Sequence, residues 1–257
     1  MKSEFRDFII DTATNAGRIL MKYHGQIQKV TYKIKTDFKT QADDASDSFI
    51  RDRLHHRFPD YNIFSEEEKD FTTISPYSWV IDPLDGTFPF TFGTSDHFSV
   101  CISLVKDKTP VIGVIYAPLR KELYVAEQGE GVTCNGDKIN CQNPSSLNKA
   151  MIAMDYGKLD RQALDIYHQK LLAPNGSLTP VTFNCASVPL CMVASGKIHA
   201  YLSHNLEPWD MAAAVVINKE AGAEVTTLDG KLWELGSSSI LAAHPILHNK
   251  LLDFFKS

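Results

Sequence analysis

The residues best suited to chemistry lie in the stretch WVIDPLDGTFPF, positions 79–90. An apolar run is followed there by two aspartates, Asp82 and Asp85, and then at once by Gly86 and Thr87. Aspartate, proline and glycine favour turns, so one interpretation is an ordinary surface turn after a strand. The other interpretation is a metal site at the end of the strand with a phosphate-binding backbone beside it.

Three other stretches carry acids in comparable positions. Asp43 begins a predicted helix in TQADDASD, and Asp210 lies in the first turn of an apolar helix in EPWDMAAA. Glu66 and Glu67, in FSEEEKD, follow a short apolar run. Each has a simpler explanation, because acids favour helix N-termini and a run of glutamates can form a solvated turn.

Together these acids indicate a magnesium site. Hard oxygen ligands at the ends of strands and helices are what Mg²⁺ requires. The nine histidines form no HExxH motif and the five cysteines no CxxC pair, so zinc ligation is not indicated. Converging carboxylates repel one another, and divalent ions relieve that repulsion. Phosphoryl transfer is the chemistry that such a site serves best.

The order of these motifs resembles the inositol monophosphatase family of lithium-sensitive, Mg²⁺-dependent phosphatases. The resemblance covers nearly the whole chain and rests on KTDFKTQADDASD (35–47), SEEE (65–68), DPLDGT (82–87) and EPWDMAAAVVINKEAG (207–222). It implies hydrolysis of a small phosphorylated metabolite by a metal-activated water, with two or three Mg²⁺ ions and no covalent intermediate. The same superfamily holds fructose-1,6-bisphosphatases and nucleotide 3′-phosphatases.

The resemblance also implies roles for individual residues. The implied metal ligands are Glu66, Asp82, Asp85, Asp210 and the carbonyl of Leu84. The implied catalytic residues are Thr87 and Asp43, which would activate the water with Thr40 in support, and Glu67, which would position the more weakly held ion. Gly86 and Thr87 would present N–H groups to the phosphate at a helix N-terminus. The substrate would contact Glu66, Leu84, Asp85, Gly86, Thr87, Asn184, Cys185, Ala186, Glu207 and Asp210.

Some positions depart from the family pattern. Pro89 replaces a common asparagine, and we expect it to alter the helix start because proline has no N–H. Residues 184–187, NCAS, replace a Gly-Ser/Thr-Ala stretch. Ser203 stands where inositol phosphatases commonly carry a glutamate. Glu207 lies closer to the helix and can instead favour its dipole. These departures concern the substrate rather than the metal.

The predicted function is therefore a Mg²⁺-dependent phosphomonoesterase for a small polyol or sugar phosphate such as inositol monophosphate. Fructose-1,6-bisphosphate, histidinol phosphate and 3′-phosphoadenosine 5′-phosphate stay open as alternative substrates. From another class, the chain could be a catalytically weak relative that binds phosphorylated metabolites and acts as a regulatory partner. The complete ligand set argues against that. A metal-binding structural protein would not explain Thr87 and Gly86.

The elements that must position these residues begin with two predicted helices. Residues 4–23 carry apolar residues at spacings of three and four and close at Gly25. DASDSFIRDRLHHRF forms the second helix and stops at Pro59, and the polar stretch between the two predicts a hairpin or an extended segment. A short buried strand is predicted at 79–81. Four more β-rich segments follow in HFSVCISLV, TPVIGVIYAP, KELYVAEQG and the Asn-Gly hairpin CNGDKI.

The second part alternates strands and helices. Strands are predicted near 150–154, 179–183, 198–202, 223–227 and 238–243, and helices near 160–172, 188–195, 208–222 and 245–256. The fold class predicted is an α+β layered αβαβα sandwich, with a mostly antiparallel N-terminal sheet, a second mixed sheet and helices between. NPSSLN at 143–148 suggests a boundary. It would divide an N-terminal half, 1–145, which carries the metal and phosphate motifs, from a C-terminal half, 146–257, which completes the site.

Composition limits the partners. With a net charge of −5 and no basic block, the 257 residues do not favour nucleic acid. The acidic N-terminal stretch is neither a signal peptide nor a membrane span, so no membrane partner is predicted. An odd number of cysteines, five, suits reduced thiols in a cytoplasmic protein. The resemblance implies a homodimer, to which FSVCISLV could contribute unless it fills the protomer's own core.

Overall fold

Layers of helix and sheet alternate through the molecule. A computed structural model of the protein describes residues 2–26, 29–68, 70–144, 146–156 and 164–256. Two large sheets are each packed between helices, and three apolar clusters fill the successive interfaces. The predicted layered α+β sandwich is confirmed. Among the described residues, no helix has the length and apolar character needed to cross a membrane.

The outer layer at one face consists of the first two helices. Helix α1 (Lys2–Tyr23) matches the predicted segment, and Gly25 after it has a φ of +77°. Helix α2 (Gln41–Arg57) ends before Phe58, as expected of a helix that cannot continue through Pro59. Between them lies the predicted hairpin, formed by β1 (Thr31–Ile34) and β2 (Asp37–Lys39).

A seven-stranded sheet lies under these helices. Its strands follow chain order, and only β3 and β4 are parallel; the other pairs are antiparallel. The predicted Asn-Gly hairpin is confirmed, with φ of +52° at Asn135 and +90° at Gly136. The strands are β3 (Asn62–Ser65), β4 (Tyr77–Asp85), β5 (Ser99–Lys106), β6 (Thr109–Ala117), β7 (Glu122–Glu127), β8 (Gly131–Cys134) and β9 (Asp137–Lys138).

Strand β4 is longer than the sequence predicted. It was expected at 79–81 only, because the following Asp-Pro-Leu-Asp sequence is typical of a turn, but it continues to Asp85. The register explains this: Asp82 pairs with Cys101 and Asp85 with Ser99, so β4 holds one residue more than β5 across this interval. Such a bulge accommodates a proline that a regular ladder would exclude.

Helix α3 (Thr87–Phe92) starts directly after β4. The expected disturbance by Pro89 is not seen, because the first N–H groups of any helix have no partner within the helix. The first such bond runs from Phe90 N to Gly86 O, at 3.0 Å, one residue beyond the proline.

The second sheet has five strands in the order β11-β10-β12-β14-β13 and is mixed, as predicted. Its strands are β10 (Met151–Asp155), β11 (Thr179–Val181), β12 (Ala200–His204), β13 (Glu224–Thr226) and β14 (Ser239–Ala243). Helices α4 (Asp165–Leu172) and α7 (Pro245–Lys256) cover its outer face. Residues 160–163 of the helix predicted near 160–172 lie outside the described part of the chain, and α4 covers most of the remainder.

The layer between the sheets positions the second half of the site. Helices α5 (Ser187–Ala194) and α6 (Pro208–Glu220) are apolar around most of their circumference because both sides are covered. Helix α6 approaches β6 so closely that a Cβ on Gly113 would lie 2.3 Å from the carbonyl oxygen of Ala213. Only glycine fits at that contact, which fixes the position of α6 and its N-terminus.

Candidate active site

A cavity of about 660 Å³ opens where the N-termini of α3, α5 and α6 meet the ends of β3 and β4. Its size is ordinary for a site that holds a small molecule. Most of the residues selected from the sequence line it: Glu66, Asp82, Leu84, Asp85, Gly86, Thr87, Asn184, Cys185, Ala186 and Asp210. The cavity lining does not include Asp43, Thr40 and Glu67, which lie behind this wall, or Glu207.

Strand β4 delivers both of its aspartates to the cavity. Residues three apart on a regular strand face opposite sides, and the bulge between Asp82 and Asp85 cancels that alternation. Both are buried, Asp82 completely, so a solvated surface turn is ruled out. The Ser46 hydroxyl donates to the carbonyl oxygen of Pro83 at 2.9 Å and fixes α2 against the bulge.

Glu66 reaches the same place from the neighbouring strand. Because β3 and β4 are parallel and Ser65 pairs with Ile81, Glu66, the first residue after β3, comes next to Asp82 of β4. The lining also includes Asp210 from α6. Oxygen atoms of Glu66, Asp82 and Asp210 all lie within 4.8 Å of one another. Three carboxylate oxygens at this spacing fit a hard divalent cation such as Mg²⁺.

Asp85 lies in the same cavity but outside this group of three. Its carboxylate accepts hydrogen bonds from the N-terminus of α5, including the N–H of Ser187 at 2.7 Å.

The two interpretations of Asp210 from the sequence, a helix N-terminal acid and a metal ligand, are compatible in the structure. Its Oδ2 accepts the backbone N–H of Glu207 at 2.8 Å, so the carboxylate stabilises the start of α6. The same side chain belongs to the carboxylate group in the cavity. One residue can therefore both cap a helix and belong to a carboxylate group that could hold a metal ion.

Asp43 likewise caps a helix with one carboxylate oxygen and contacts a residue of the candidate site with the other. Its Oδ2 accepts the N–H of Thr40 at 2.8 Å and the Thr40 hydroxyl at 2.6 Å, which forms the cap of α2. Its Oδ1 lies 3.1 Å from the hydroxyl of Thr87, which is also 3.1 Å from the carbonyl oxygen of Leu84. If Thr87 donates to Asp43, its oxygen lone pairs are available to accept a proton from a water in the cavity.

Burial changes the pKa of the Asp43 carboxyl. It raises the pKa of Asp43 to about 6, while the hydrogen bonds from Thr40 and Thr87 act in the opposite direction and the charge of Glu66 adds to the rise. A carboxylate with a pKa near neutrality is a suitable proton acceptor.

Glu67 faces lysines of the hairpin rather than the cavity. Its side chain is 1% exposed, and its Oε1 accepts a hydrogen bond from Lys33 Nζ at 2.7 Å. Lys33 also contacts Glu66 at 3.2 Å, and Lys39 lies 3.6 Å from Glu67. Burial raises the pKa of Glu67 to about 7, the charge of Glu66 adds to this, and Lys33 lowers it. The run of glutamates is thus a solvated turn only at Glu68, which is exposed.

Gly86 has a specific conformational requirement. Its φ is +83°, and a Cβ there would lie 2.4 Å from the carbonyl oxygen of His97. Glycine is needed for both reasons, and it turns the chain from β4 into α3 so that Thr87 comes next to Asp43.

The predicted substrate contacts divide into two groups. Asn184, Cys185 and Ala186 line the cavity, whereas Glu207 is an exposed residue at the cap of α6, outside the lining. That position favours its helix-dipole role. Ser203 is fully buried and its hydroxyl donates to the carbonyl oxygen of Asp155, so it does not take the place of the missing glutamate.

Sequence reasoning missed Asp155 and the two lysines. Asp155, at the end of β10, lines the cavity and accepts the N–H groups of Phe183 at 3.1 Å and Asn184 at 2.9 Å. Burial raises the pKa of Asp155 to about 7. No motif marks it. The lysines could have been found, because a basic hairpin before an acidic run suggests charge pairing.

Comparison with known proteins agrees with this geometry. The model of the inositol monophosphatase family matches residues 1–256. A fructose-1,6-bisphosphatase/inositol-1-monophosphatase of Aquifex aeolicus is 32% identical, covering 95% of this chain and 92% of the relative. A putative Nus factor SuhB of Neisseria meningitidis is 30% identical, covering 98% of each. The crystal structure of the extragenic suppressor protein SuhB from Bartonella henselae has a TM-score of 0.90 and 29% identity, covering 98% of both chains.

The fold and site thus define a class of metal-dependent phosphatases. The chain belongs to the inositol monophosphatase family.

Proposed function

We propose that this protein is a Mg²⁺-dependent phosphomonoesterase that hydrolyses a small polyol or sugar phosphate, most similar to inositol monophosphate. The observation that carries the proposal is the convergence of Glu66, Asp82 and Asp210 beside the Thr87–Asp43 pair. Bound Mg²⁺ would supply a polarised water and neutralise charge on the phosphate and the leaving oxygen.

The residues of the chain would perform the remaining tasks. The metal ligands would be Glu66, Asp82, Asp85, Asp210 and the carbonyl of Leu84, with Glu67 beside the more weakly held of two or three ions. Thr87 would accept a proton from the attacking water as Asp43 accepts one from Thr87, which suits their 3.1 Å contact. Gly86 and Thr87 would bind the phosphate. Direct attack needs no covalent intermediate.

The alcohol part of the substrate would contact Asn184, Cys185 and Ala186, which belong to the cavity lining. Glu207 remains a predicted contact whose test is kinetic. Because inositol phosphatases commonly use a glutamate where this chain has Ser203, the alternative substrates fructose-1,6-bisphosphate, histidinol phosphate and 3′-phosphoadenosine 5′-phosphate belong in the same screen.

The experiment is a phosphate-release screen of these substrates with Mg²⁺. We expect at least one to be hydrolysed, and Asp82→Asn to abolish release because it removes a ligand charge from the carboxylate group. Asp44→Asn, at an exposed aspartate outside the cavity lining, is the control and should keep its activity. Absence of release from every substrate would contradict the proposal.

A second candidate function comes from the Neisseria relative, whose name is a Nus factor rather than a phosphatase. In that case the protein would be a catalytically weak relative that binds phosphorylated metabolites and acts through a partner. The screen separates the two when binding of Mg²⁺ and of each substrate is measured by calorimetry beside it, since binding without phosphate release would favour the second candidate.

A further inference from the structure

The carboxylate of Asp85 is held from one side by the start of α5. Its Oδ2 accepts the Sγ–H of Cys185 at 3.0 Å, the N–H of Ala186 at 3.1 Å and the N–H of Ser187 at 2.7 Å. The Ser187 hydroxyl donates to the same oxygen. Oδ1 receives, among these contacts, only the Ala186 N–H at 3.3 Å. Oδ2 is therefore fixed by several protein donors, whereas Oδ1 accepts fewer of these hydrogen bonds.

The direction of the hydrogen bonds around Ser187 follows from chemistry. An ionised carboxylate can only accept, so Ser187 must give its single hydroxyl proton to Asp85. The Ser99 hydroxyl, 2.7 Å from the Ser187 hydroxyl, must then donate to Ser187. Ser99 is in turn 3.4 Å from Cys101 Sγ, which can donate to it. The result is a one-way relay from Cys101 through Ser99 and Ser187 to Asp85.

The relay is fully buried and connects two layers. Ser99 and Ser187 are 0% exposed and Cys101 is 2% exposed, so water does not compete for these bonds. Ser99 and Cys101 lie on β5 opposite Asp85 and Asp82, and Ser187 opens α5. Hydrogen bonds in such a chain polarise one another, and each strengthens the next.

We propose that Ser187 is a positioning residue that holds the Asp85 carboxylate in one orientation, with Oδ1 available to the metal site. The inference rests on the proposed function, because it takes Asp85 as a metal ligand. Partners that orient metal ligands commonly contribute a tenfold to hundredfold factor in affinity or activity.

The test measures metal affinity directly. Mn²⁺, another hard divalent ion with oxygen preference, is titrated into the metal-free protein by calorimetry, and the Mg²⁺ requirement for phosphate release is measured in parallel. Ser187→Ala is expected to weaken Mn²⁺ binding about tenfold or more and to raise the Mg²⁺ requirement by a similar factor. Ser187→Cys, which keeps a weaker donor, is expected to recover part of the affinity.

Two further variants separate positioning from simple stability. Ser103→Ala removes another buried hydroxyl of β5, which donates to the Ile112 carbonyl at 2.9 Å, away from Asp85. It should lower the melting temperature and leave Mn²⁺ affinity unchanged. Ser99→Ala removes the donor to Ser187 and the acceptor of the Cys101 thiol but leaves Ser187 in place, so it should weaken Mn²⁺ binding less than Ser187→Ala. It also provides a readout if Ser187→Ala does not fold.

The outcomes separate the positioning role of Ser187 from the proposed function. Unchanged Mn²⁺ affinity in Ser187→Ala, or in Ser99→Ala if Ser187→Ala does not fold, with binding lost in Asp82→Asn, overturns the positioning role alone. A wild-type protein that binds no Mn²⁺ contradicts the proposed function, and the inference falls with it.

Discussion

At the scale of single residues, the site assigns two tasks to one carboxylate. Asp43 caps α2 with Oδ2 and meets Thr87 with Oδ1, and Asp210 caps α6 while it belongs to the carboxylate group. Sequence reasoning treated these as competing interpretations. The geometry resolves them, because a carboxylate has two oxygens that point in different directions. Helix capping thus holds these carboxylates at the candidate site as well as contributing stability.

Asp85→Asn tests the proposed ligand role of Asp85. The substitution removes a ligand charge and almost no volume, so we expect turnover to be abolished while the circular dichroism spectrum and a cooperative melt are retained. Asp44→Asn, at an exposed neighbour of Asp43, is the control and should keep its activity. A near-wild-type rate for Asp85→Asn would place the metal site elsewhere.

The pH dependence tests Asp43. Its pKa is raised to about 6, so protonation below that pH removes the acceptor that Thr87 needs. The rate should therefore fall as the pH drops through about 6 and be retained above it. Part of the rise comes from Glu66, and a cation beside Glu66 would remove that part, so the midpoint should lie at about 6 or lower. The check is kcat against pH at saturating Mg²⁺. A midpoint clearly above 6, or an unchanged profile in an active Asp43→Asn variant, would contradict the role.

At the scale of elements, much could be predicted from the sequence. The periodicity of α1, the Asn-Gly hairpin and the apolar α6 are local signals, and each is confirmed. The end of β4 was missed because Pro83 is typical of a turn, and only pairing with β5 reveals the bulge. Ser99 and Ser187 were missed for a related reason: they meet across 88 positions of chain, and nothing local marks either serine.

The turn between β4 and α3 is an element whose requirement can be measured. Gly86→Ala places a Cβ 2.4 Å from a backbone oxygen at a residue whose φ is +83°, which strains an alanine. We expect the free energy of unfolding to fall by about 3 kcal/mol or more. Gly93→Ala is the matched control, since φ there is +62° but nothing lies within 4 Å of the added Cβ. Its free energy of unfolding is expected to fall by about 1–2 kcal/mol. Urea unfolding measures both. Equal losses would show that the contact with His97 does not restrict the turn.

At the scale of the whole molecule, the two sheets and the helices between them bring together residues from both ends of the chain. The FSVCISLV stretch, considered from sequence as a possible dimer contact, is buried in β5 within the protomer, so it fills the protomer's own core. The family-based prediction of a homodimer then requires another surface. We expect sedimentation at micromolar concentration to show a dimer, and a monomer alone would remove that prediction.

The most direct test of the account is the metal dependence of phosphate release on the best substrate found in the screen. After exhaustive chelation, we expect release to stop and to return when Mg²⁺ is added, because the proposed role of the carboxylates of Glu66, Asp82 and Asp210 is to hold cations. The family resemblance further implies that lithium inhibits the release. Asp82→Asn should not recover with Mg²⁺. Full activity in the chelated wild-type protein would contradict the metal-dependent mechanism.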